Sequence, residues 1–173
     1  LVGGRSGNRG ACAGSCRLPY DIVDKNNEVL NKSKKYPLSM KDLCAIASIG
    51  KLMDIGVNSF KIEGRMKSKE YVYLVTKIYR KAIDSYLENK KVTIDYEILD
   101  KLKKVFNREY TLGFLNNVSN NDVINGKQPN NVGVKIGKVV KLTKTNALIK
   151  LEDELHIGDG LRIKGTEGEI GTI

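Results

Sequence analysis

The sequence predicts an α/β first part and an all-β second part. In the first part, two stretches with helical spacing of apolar residues flank a short alternating segment at residues 58–64. Helix, strand and helix joined by short links form the repeating unit of a parallel sheet or barrel. From Val132 the apolar residues alternate instead, with lysines and glycines between the runs. This second pattern is typical of short antiparallel strands and predicts a small β-barrel that is cut short.

Residues 58–68 are the stretch around which the first part is organised. Phe60 and Ile62 lie on one face of the predicted strand, and Lys61 and Glu63 lie on the other. An ionisable second face is expected where a strand lines a polar barrel interior or a pocket. The alternative is a charge-rich turn in which Lys61 and Glu63 only neutralise each other.

The turn after this strand has the features of an anion site. Gly64 allows the backbone to turn tightly or to approach a ligand. Ser68 is a candidate N-cap for a long helix. Uncapped N–H groups at a helix N-terminus favour an anion, and Arg65 and Lys67 stand beside them. We therefore predict that Arg65 and Lys67 contact a substrate or an anion.

Two elements are predicted before this turn. Residues 18–23 and 28–30 have the pattern of two strands around a polar turn, which indicates a hairpin. A helix is predicted over residues 41–54, because apolar residues recur there at helical spacing. Ser39 and Asp42 are expected to form the S-x-x-D cap of that helix.

Two helices and a connecting segment are predicted after the turn. The helix over residues 69–88 has one continuous apolar stripe, and a shorter helix over residues 95–106 follows a cap at Thr93. Residues 107–131 are poor in apolar residues and rich in Asn, which indicates a linker or covering loop. The boundary between the two architectures is therefore expected near residues 126–133.

The positive charge of the chain is concentrated in its first half. The 173 residues carry a formal net charge of +10, and residues 1–91 hold 18 Lys and Arg against 9 Asp and Glu, a net charge of +9. This excess suits a polyanionic partner such as RNA, and the alternative is the surface of a protein from a lysine-rich proteome. No apolar run approaches the length that spans a bilayer. Because the chain begins at Leu1 inside a run of Gly and Arg, we expect a fragment.

Cys12 and Cys16 form a C-x-x-x-C pair in a glycine-rich loop, and Cys44 lies in the helix predicted over residues 41–54. Such a pair can share one metal or cluster, and soft thiolates select zinc or iron–sulfur. Neighbouring Arg9 and Arg17 would favour the thiolate form that ligation needs. Three thiols do not complete a typical four-cysteine site. The alternative for Cys44 is an unligated residue that packs as a small apolar side chain.

Several blocks of the chain together carry a family resemblance. The runs GGRSGNRGACAGSCRLPY at residues 3–20, LSMKDLC at 38–44 and FKIEGRMKSKEYV at 60–72 resemble peptidase family U32, the collagenase-like proteases. The runs QPNNVGV at residues 128–134 and IGDGLRI at 157–163 extend the resemblance and are most similar to the larger members of the family.

The resemblance implies a fold and a division into domains. Residues 1–91 would be the last βα units of a TIM-type barrel with a Cys-containing loop, and residues 92–131 would be a helix and a linker. Residues 132–173 would be a truncated β-barrel similar to the second domain of translation factors. The resemblance also implies a cytoplasmic bacterial protein.

The resemblance implies a chemistry as well. Better-understood relatives act in hydroxylation of a tRNA uridine, a ribosomal RNA cytidine or a quinone precursor, and several hold a four-iron cluster on four cysteines. On that pattern Cys12, Cys16 and Cys44 would be cluster ligands, and the fourth ligand is absent from this sequence. We therefore predict that the whole protein hydroxylates an RNA base with an iron–sulfur cluster. We expect this fragment alone to be inactive.

Four further residues are candidates for this reaction. Lys61 and Glu63 would line the barrel mouth, where TIM-barrel sites form, and are the catalytic candidates. Arg5 and Arg9 would contact the substrate together with the two cations of the turn.

Two other functions are open at the level of sequence. A peptidase is the function in the family name, but no serine nucleophile elbow, HExxH motif or aspartic dyad is visible. The only histidine, His156, lies beside an acidic run and is better explained as a surface residue than as a catalytic base. A noncatalytic RNA-binding module would need only the positive charge and the β-barrel.

Overall fold

The structure is a computed structural model that describes residues 2–115, 123–165 and 169–172. The chain divides into two units, Leu1–Gly133 and Val134–Ile173. The first unit includes both predicted segments, residues 1–91 and 92–131. The division between the units falls at the end of the boundary region predicted near residues 126–133. No helix in the described ranges has the length and apolar content needed to cross a membrane.

The longest element of the first unit is helix α2, Lys69–Asn89, and the sequence predicted it. Its N-cap is Ser68, whose Oγ accepts a hydrogen bond from the Tyr71 backbone N–H at 3.2 Å. The apolar stripe faces inward, and its buried members are Val75, Ile78, Ala82 and Tyr86. Helix α2 ends where Lys90 takes the left-handed conformation, with φ at 55°.

Helix α3, Tyr96–Val105, packs against α2 and completes the core. The central buried cluster contains Ile46, Ile78, Ala82 and Ile98. The predicted cap at Thr93 is wrong, because the side chain of Asp95 accepts the Ile98 backbone N–H instead. Asp95 also pairs with Lys81 of α2 at 2.7 Å, so the carboxylate both caps α3 and ties it to α2.

The predicted helix over residues 41–54 is largely wrong. Asp42–Leu43 form strand β1, a single 3₁₀ turn follows at Ile46–Ser48, and helix α1 covers only Ile49–Asp54. The predicted cap fails because its two side chains have distant partners: buried Ser39 accepts a hydrogen bond from Arg17, and Asp42 binds Arg108. Long-range contacts therefore override the local helix signal.

The segment predicted as a linker or covering loop lies on the first unit. Strand β2, Tyr110–Thr111, pairs in parallel with β1. Val123 and Asn125 are buried, and the Asn125 backbone N–H donates to the Ser39 carbonyl at 2.8 Å. The described residues of this segment therefore pack on the rest of the first unit. Residues 116–122 of the predicted loop lie outside the described residues.

The predicted strand at residues 58–64 is extended but is not part of a sheet among the described residues. Residues 57–64 precede α2 without ladder pairing in this part of the chain. The predicted alternation is nevertheless present, since Phe60 and Ile62 are partly buried and Lys61 and Glu63 are exposed. The predicted hairpin before it is present as one antiparallel bridge, Val23 to Val29.

The second unit contains two antiparallel hairpins. Strand β3, Gly137–Leu142, pairs with β4, Ala147–Leu151, and strand β5, Leu161–Lys164, pairs with β6, Glu169–Thr172. Short antiparallel strands are present as predicted, but burial alternates with a period of two only in β5, whereas β3 and β4 are mostly exposed. A closed barrel is not formed by the described residues of this unit, so the predicted β-barrel stays a prediction.

An irregularity in the first hairpin collects its lysines on one face. Lys138 is opposite Lys150, and the register shifts between Val139 and Lys141. Because side chains alternate along a strand, the extra residue brings Lys141 to the face that holds Lys138 and Lys150. Lys138, Lys141 and Lys150 therefore form a basic strip on one face of this hairpin.

Candidate anion-binding and thiol site

The first unit begins with residues 2–17, which we call the thiol loop. This loop contains three short 3₁₀ turns, Val2–Gly4, Gly7–Arg9 and Ser15–Arg17. Cys12 and Cys16 are exposed and form no disulfide. The backbone N–H of Gly14 lies 3.3 Å from the Cys12 Sγ and donates to it. Gly14 has a φ of 65°, a conformation that favours glycine, so the turn that delivers this N–H needs that residue.

Arg65 connects the thiol loop to the turn before α2. Its guanidinium Nη2 donates to the carbonyl oxygen of Gly10, 55 residues earlier in the chain. The Arg65 backbone N–H also donates to the Glu63 carboxylate at 3.1 Å. The structure therefore brings together the two stretches that the sequence singled out, although the predicted substrate contact of Arg65 stays a prediction.

Arg17 fastens the other end of the thiol loop. Its Nη1 donates to the Ser39 Oγ at 2.7 Å and to the Met40 carbonyl oxygen at 2.6 Å. Burial, followed by the nearby charge of Arg108, lowers the pKa of this guanidinium from its ordinary value. Because Arg17 directly follows Cys16, the end of the thiol loop is held beside β1.

Arg108, in the segment before β2, forms an ion pair with Asp42 of β1. The Arg108 Nε lies 3.0 Å from the Asp42 Oδ1, Nη2 donates to the same oxygen, and the backbone N–H donates to Oδ2 at 3.3 Å. The side chains are only 22% and 15% exposed. Lys41 and Glu109 form a second pair alongside it, at 3.0 Å, which is neutral as a unit.

Lys67 lies against aromatic rings rather than against an acid. Its Nζ is 2.9 Å from the ring centroid of Phe106 and 5.5 Å from that of Tyr71. Arg108 also lies over the Phe106 ring, with Cζ at 5.1 Å. Burial and then the charge of Arg108 lower the pKa of Lys67 from 10.5 to about 8, with a smaller opposing effect of Asp42.

We refer to Arg17, Lys67 and Arg108 as the cation cluster. They come from the thiol loop, the turn before α2 and the segment after α3, and each affects the electrostatics of another. Sequence reasoning found Lys67 from its place beside a helix N-terminus. It treated Arg17 only as a neighbour of the thiols and gave Arg108 no role, because the partner of Arg108, Asp42, is 66 residues away in the chain.

Cys44 lies in a different environment from the two loop thiols. It is half-buried, its backbone N–H donates to Thr111, and its side chain affects the titration of Tyr79 and Tyr110. Burial raises the pKa of both phenols. In the described ranges, no three His, Cys, Asp or Glu side chains are grouped as a metal site requires. The predicted joint ligand role of Cys12, Cys16 and Cys44 therefore stays a prediction.

The remaining predicted site residues are exposed. Lys61 and Glu63 form an ion pair at 3.9 Å with side chains 88% and 69% exposed, a geometry that fits mutual neutralisation in solvent. Arg5 and Arg9 are exposed on the thiol loop. His156 is exposed beside Glu154 and Asp159, in agreement with its interpretation as a surface residue.

The chain belongs to peptidase family U32. The sequence profile of that family matches residues 1–125, which include the thiol loop and the whole cation cluster. No solved structure matches the chain at a significant level.

Relatives in the family differ in the activities for which they are named. The chain is 36% identical over 167 residues to the 23S rRNA 5-hydroxycytidine C2501 synthase of Escherichia coli, covering 92% of this chain and 25% of that protein. It is 36% identical over 170 residues to a collagenase of Porphyromonas gingivalis, covering 92% and 40%. It is 41% identical over 116 residues to tRNA hydroxylation protein P1 of Bacillus subtilis, covering 64% and 28%. The chain therefore spans less than half the length of these relatives.

Proposed function

We propose that the intact gene product hydroxylates a pyrimidine base of RNA, either a cytidine of ribosomal RNA or a uridine of tRNA, in the cytoplasm. The observation that carries the proposal is the half-buried cation cluster beside a loop with two exposed thiols. RNA supplies the phosphates that such cations bind. Similarity to relatives named for hydroxylation of ribosomal RNA and tRNA supports the same choice.

The thiol pair fits part of an iron–sulfur site. Cys12 and Cys16 are exposed and free, and the N–H donated to Cys12 Sγ is the kind of bond that tunes cluster sulfurs. A bound cluster would supply one-electron redox chemistry. Cys12 and Cys16 would hold it, with Cys44 as the proposed third ligand and the remaining ligand from elsewhere in the intact gene product.

The other residues have supporting roles in the proposal. Arg5 and Arg9 would meet RNA phosphates at the solvent-exposed edge of the thiol loop, and Lys61 and Glu63 are the candidates for proton transfer. We further propose that the first unit belongs to a TIM-type barrel and the second to a β-barrel. The basic strip of Lys138, Lys141 and Lys150 gives the second unit its own affinity for a polyanion.

A peptidase is the second candidate, because relatives are named collagenases. A cysteine or serine peptidase needs a base within hydrogen-bond reach of its nucleophile. Among the described residues, His156 lies 4.0 Å from the Glu154 carboxylate and 3.8 Å from the Asp159 carboxylate of its own loop. Neither carboxylate is a serine or cysteine nucleophile, so these contacts give no support to such a pair.

Nucleoside analysis tests the proposed reaction. Ribosomal RNA and tRNA from a strain that lacks the gene would be digested to nucleosides and compared with wild type by mass spectrometry. We expect one hydroxylated pyrimidine nucleoside to be lost on deletion and restored by the intact gene. Identical nucleoside profiles in both strains would contradict the proposal.

Anaerobic purification of the intact gene product tests the cofactor separately. We expect a brown protein that contains iron and sulfide, and loss of both in the Cys12→Ser and Cys16→Ser variants. The Cys44→Ser variant decides whether that thiol is a third ligand. A colourless, iron-free wild-type protein prepared without oxygen would contradict the cluster.

A further inference from the structure

We propose that the cation cluster of Arg17, Lys67 and Arg108 is an oxyanion site that binds a backbone phosphate of the RNA substrate. The oxyanion chemistry follows from the residues themselves, whereas the assignment to RNA rests on the proposed function. A free phosphate or sulfate shares the same chemistry and serves as the probe that separates the two.

The first reason to infer an oxyanion site is the local balance of charge. Three cations converge in the cluster, and among the described residues Asp42 is the carboxylate that contributes to the electrostatics of both Arg17 and Lys67. The adjacent pair of Lys41 and Glu109 is neutral and does not change the balance. The cluster therefore keeps an excess of two positive charges in a half-buried position, where charge is costly without a counterion.

The hydrogen-bond capacity of Lys67 is the second reason. An ammonium group has three donors and no acceptor. In the part of the chain that the structure describes, no oxygen accepts a hydrogen bond from Lys67 Nζ, which contacts the rings of Phe106 and Tyr71. A ring face stabilises the charge but leaves donors for another partner. A phosphate oxygen would satisfy these donors and offset the cationic excess.

The fixed position of the two guanidinium groups is the third reason. Arg17 is anchored by Ser39 and Met40, and Arg108 is anchored by Asp42. These bonds involve one nitrogen of Arg17 and two of Arg108, so each guanidinium is oriented and keeps a further nitrogen that no described residue accepts from. A preorganised set of donors binds an anion at a smaller entropic cost.

The position of the cluster in the fold indicates which part of the protein a bound phosphate would lie beside. Lys67 directly precedes the N-cap of α2, where the helix dipole adds to the positive potential. Arg17 directly follows Cys16. A phosphate held by the cluster would therefore fix one point of the RNA backbone beside the thiol loop.

Sulfate and phosphate titration of the intact gene product, followed by calorimetry, tests the oxyanion chemistry. We expect Lys67→Met to weaken binding of either ion by about tenfold or more, because a charged hydrogen bond is lost. Lys67→Arg keeps the charge and should bind. Lys77→Met is the matched control, since Lys77 Nζ also lies over a tyrosine ring, 5.2 Å from the Tyr73 centroid, but is exposed. Equal affinities of Lys67→Met and Lys77→Met would overturn the site.

RNA binding by the same variants tests the assignment to RNA. We expect Lys67→Met to weaken binding of a short RNA and to reduce the salt slope by about one, as for one lost phosphate contact. Weakened sulfate binding with unchanged RNA binding would overturn the RNA assignment. Weakened binding of both ligands in a protein whose deletion changes no nucleoside would support the phosphate site while contradicting the proposed reaction.

Discussion

Lys67 shows at the scale of one residue how burial changes a charged side chain. Its ammonium lies over Phe106, and burial followed by the charge of Arg108 brings its pKa to about 8. Because this pKa is below the unfolded value of 10.5, the unfolded chain binds more protons between these values. The charged lysine therefore opposes folding below about pH 8, and its penalty disappears as the pH rises towards 10.5.

The titration of Lys67 gives a prediction for binding. Sulfate keeps its charge between pH 6 and 10, whereas Lys67 loses its proton as the pH rises through about 8. We expect the affinity of the intact gene product for sulfate to fall across that interval. Calorimetric titration at several pH values measures the effect.

The Lys67→Arg variant is the control, because a guanidinium stays charged throughout. Four groups enter the electrostatics or contacts of Lys67 besides Phe106, namely Arg17, Asp42, Tyr71 and Arg108. Burial raises the pKa of Tyr71, so its ionisation is further from the titration of Lys67 than that of an ordinary tyrosine. The same decline in both proteins would mean that another group controls the affinity.

Only part of the candidate site could be predicted from the sequence. Arg65 and Lys67 were found because they stand beside a recognisable helix cap. Arg17 and Arg108 have partners that are 22 and 66 residues away, Ser39 and Asp42. No local sequence pattern encodes contacts over such separations, so only the folded structure identifies the cation cluster.

At the scale of elements, the cap of α2 sets the start of the longest helix. Replacing Ser68 by Ala removes the acceptor for the Tyr71 N–H, and we expect a loss of about 1 kcal/mol in the free energy of unfolding. Chemical denaturation of the intact gene product measures it. Ser68→Asp should retain most of the stability, whereas Thr76→Ala, at an exposed position within α2, should not destabilise. An unchanged Ser68→Ala protein would contradict the cap.

The contact of α1 with α2 depends on a glycine. A Cβ at Gly50 would lie 2.6 Å from a carbon of the Tyr86 ring, whose hydroxyl donates to Asp54 at 2.5 Å. We expect Gly50→Ala to lower the free energy of unfolding by about 1–3 kcal/mol, because the ring must move. Gly160→Ala is the control, since a Cβ there meets no atom within 4 Å. Equal stability of the two variants would show that α1 and α2 are not packed in this way.

There is a physical reason why the sequence predicts some helices and strands better than others. Helix α2 is long, strongly periodic and locally capped, so its own residues determine it. The predicted helix over residues 41–54 has similar periodicity, but Ser39 and Asp42 bind distant arginines and the chain forms β1 instead. Competition between local and long-range partners cannot be decided from spacing alone.

At the scale of the whole molecule, the first unit combines the family match with the candidate chemistry. The thiol loop, the cation cluster and α2 all lie within the region matched by the profile of peptidase family U32. The chain spans a quarter of the relative named for ribosomal RNA hydroxylation and two fifths of a relative named as a collagenase. A choice between these chemistries therefore needs a measurement on the intact gene product.

Complementation of the deletion strain measures whether the thiol loop and the cation cluster serve one reaction on RNA. Mass spectrometry would quantify the hydroxylated pyrimidine nucleoside in strains that produce wild-type, Cys16→Ser, Lys67→Met or Lys77→Met protein at equal abundance. We expect wild type and Lys77→Met to restore the nucleoside, and Cys16→Ser and Lys67→Met to leave it absent or strongly reduced. Full restoration by both Cys16→Ser and Lys67→Met would contradict the shared site.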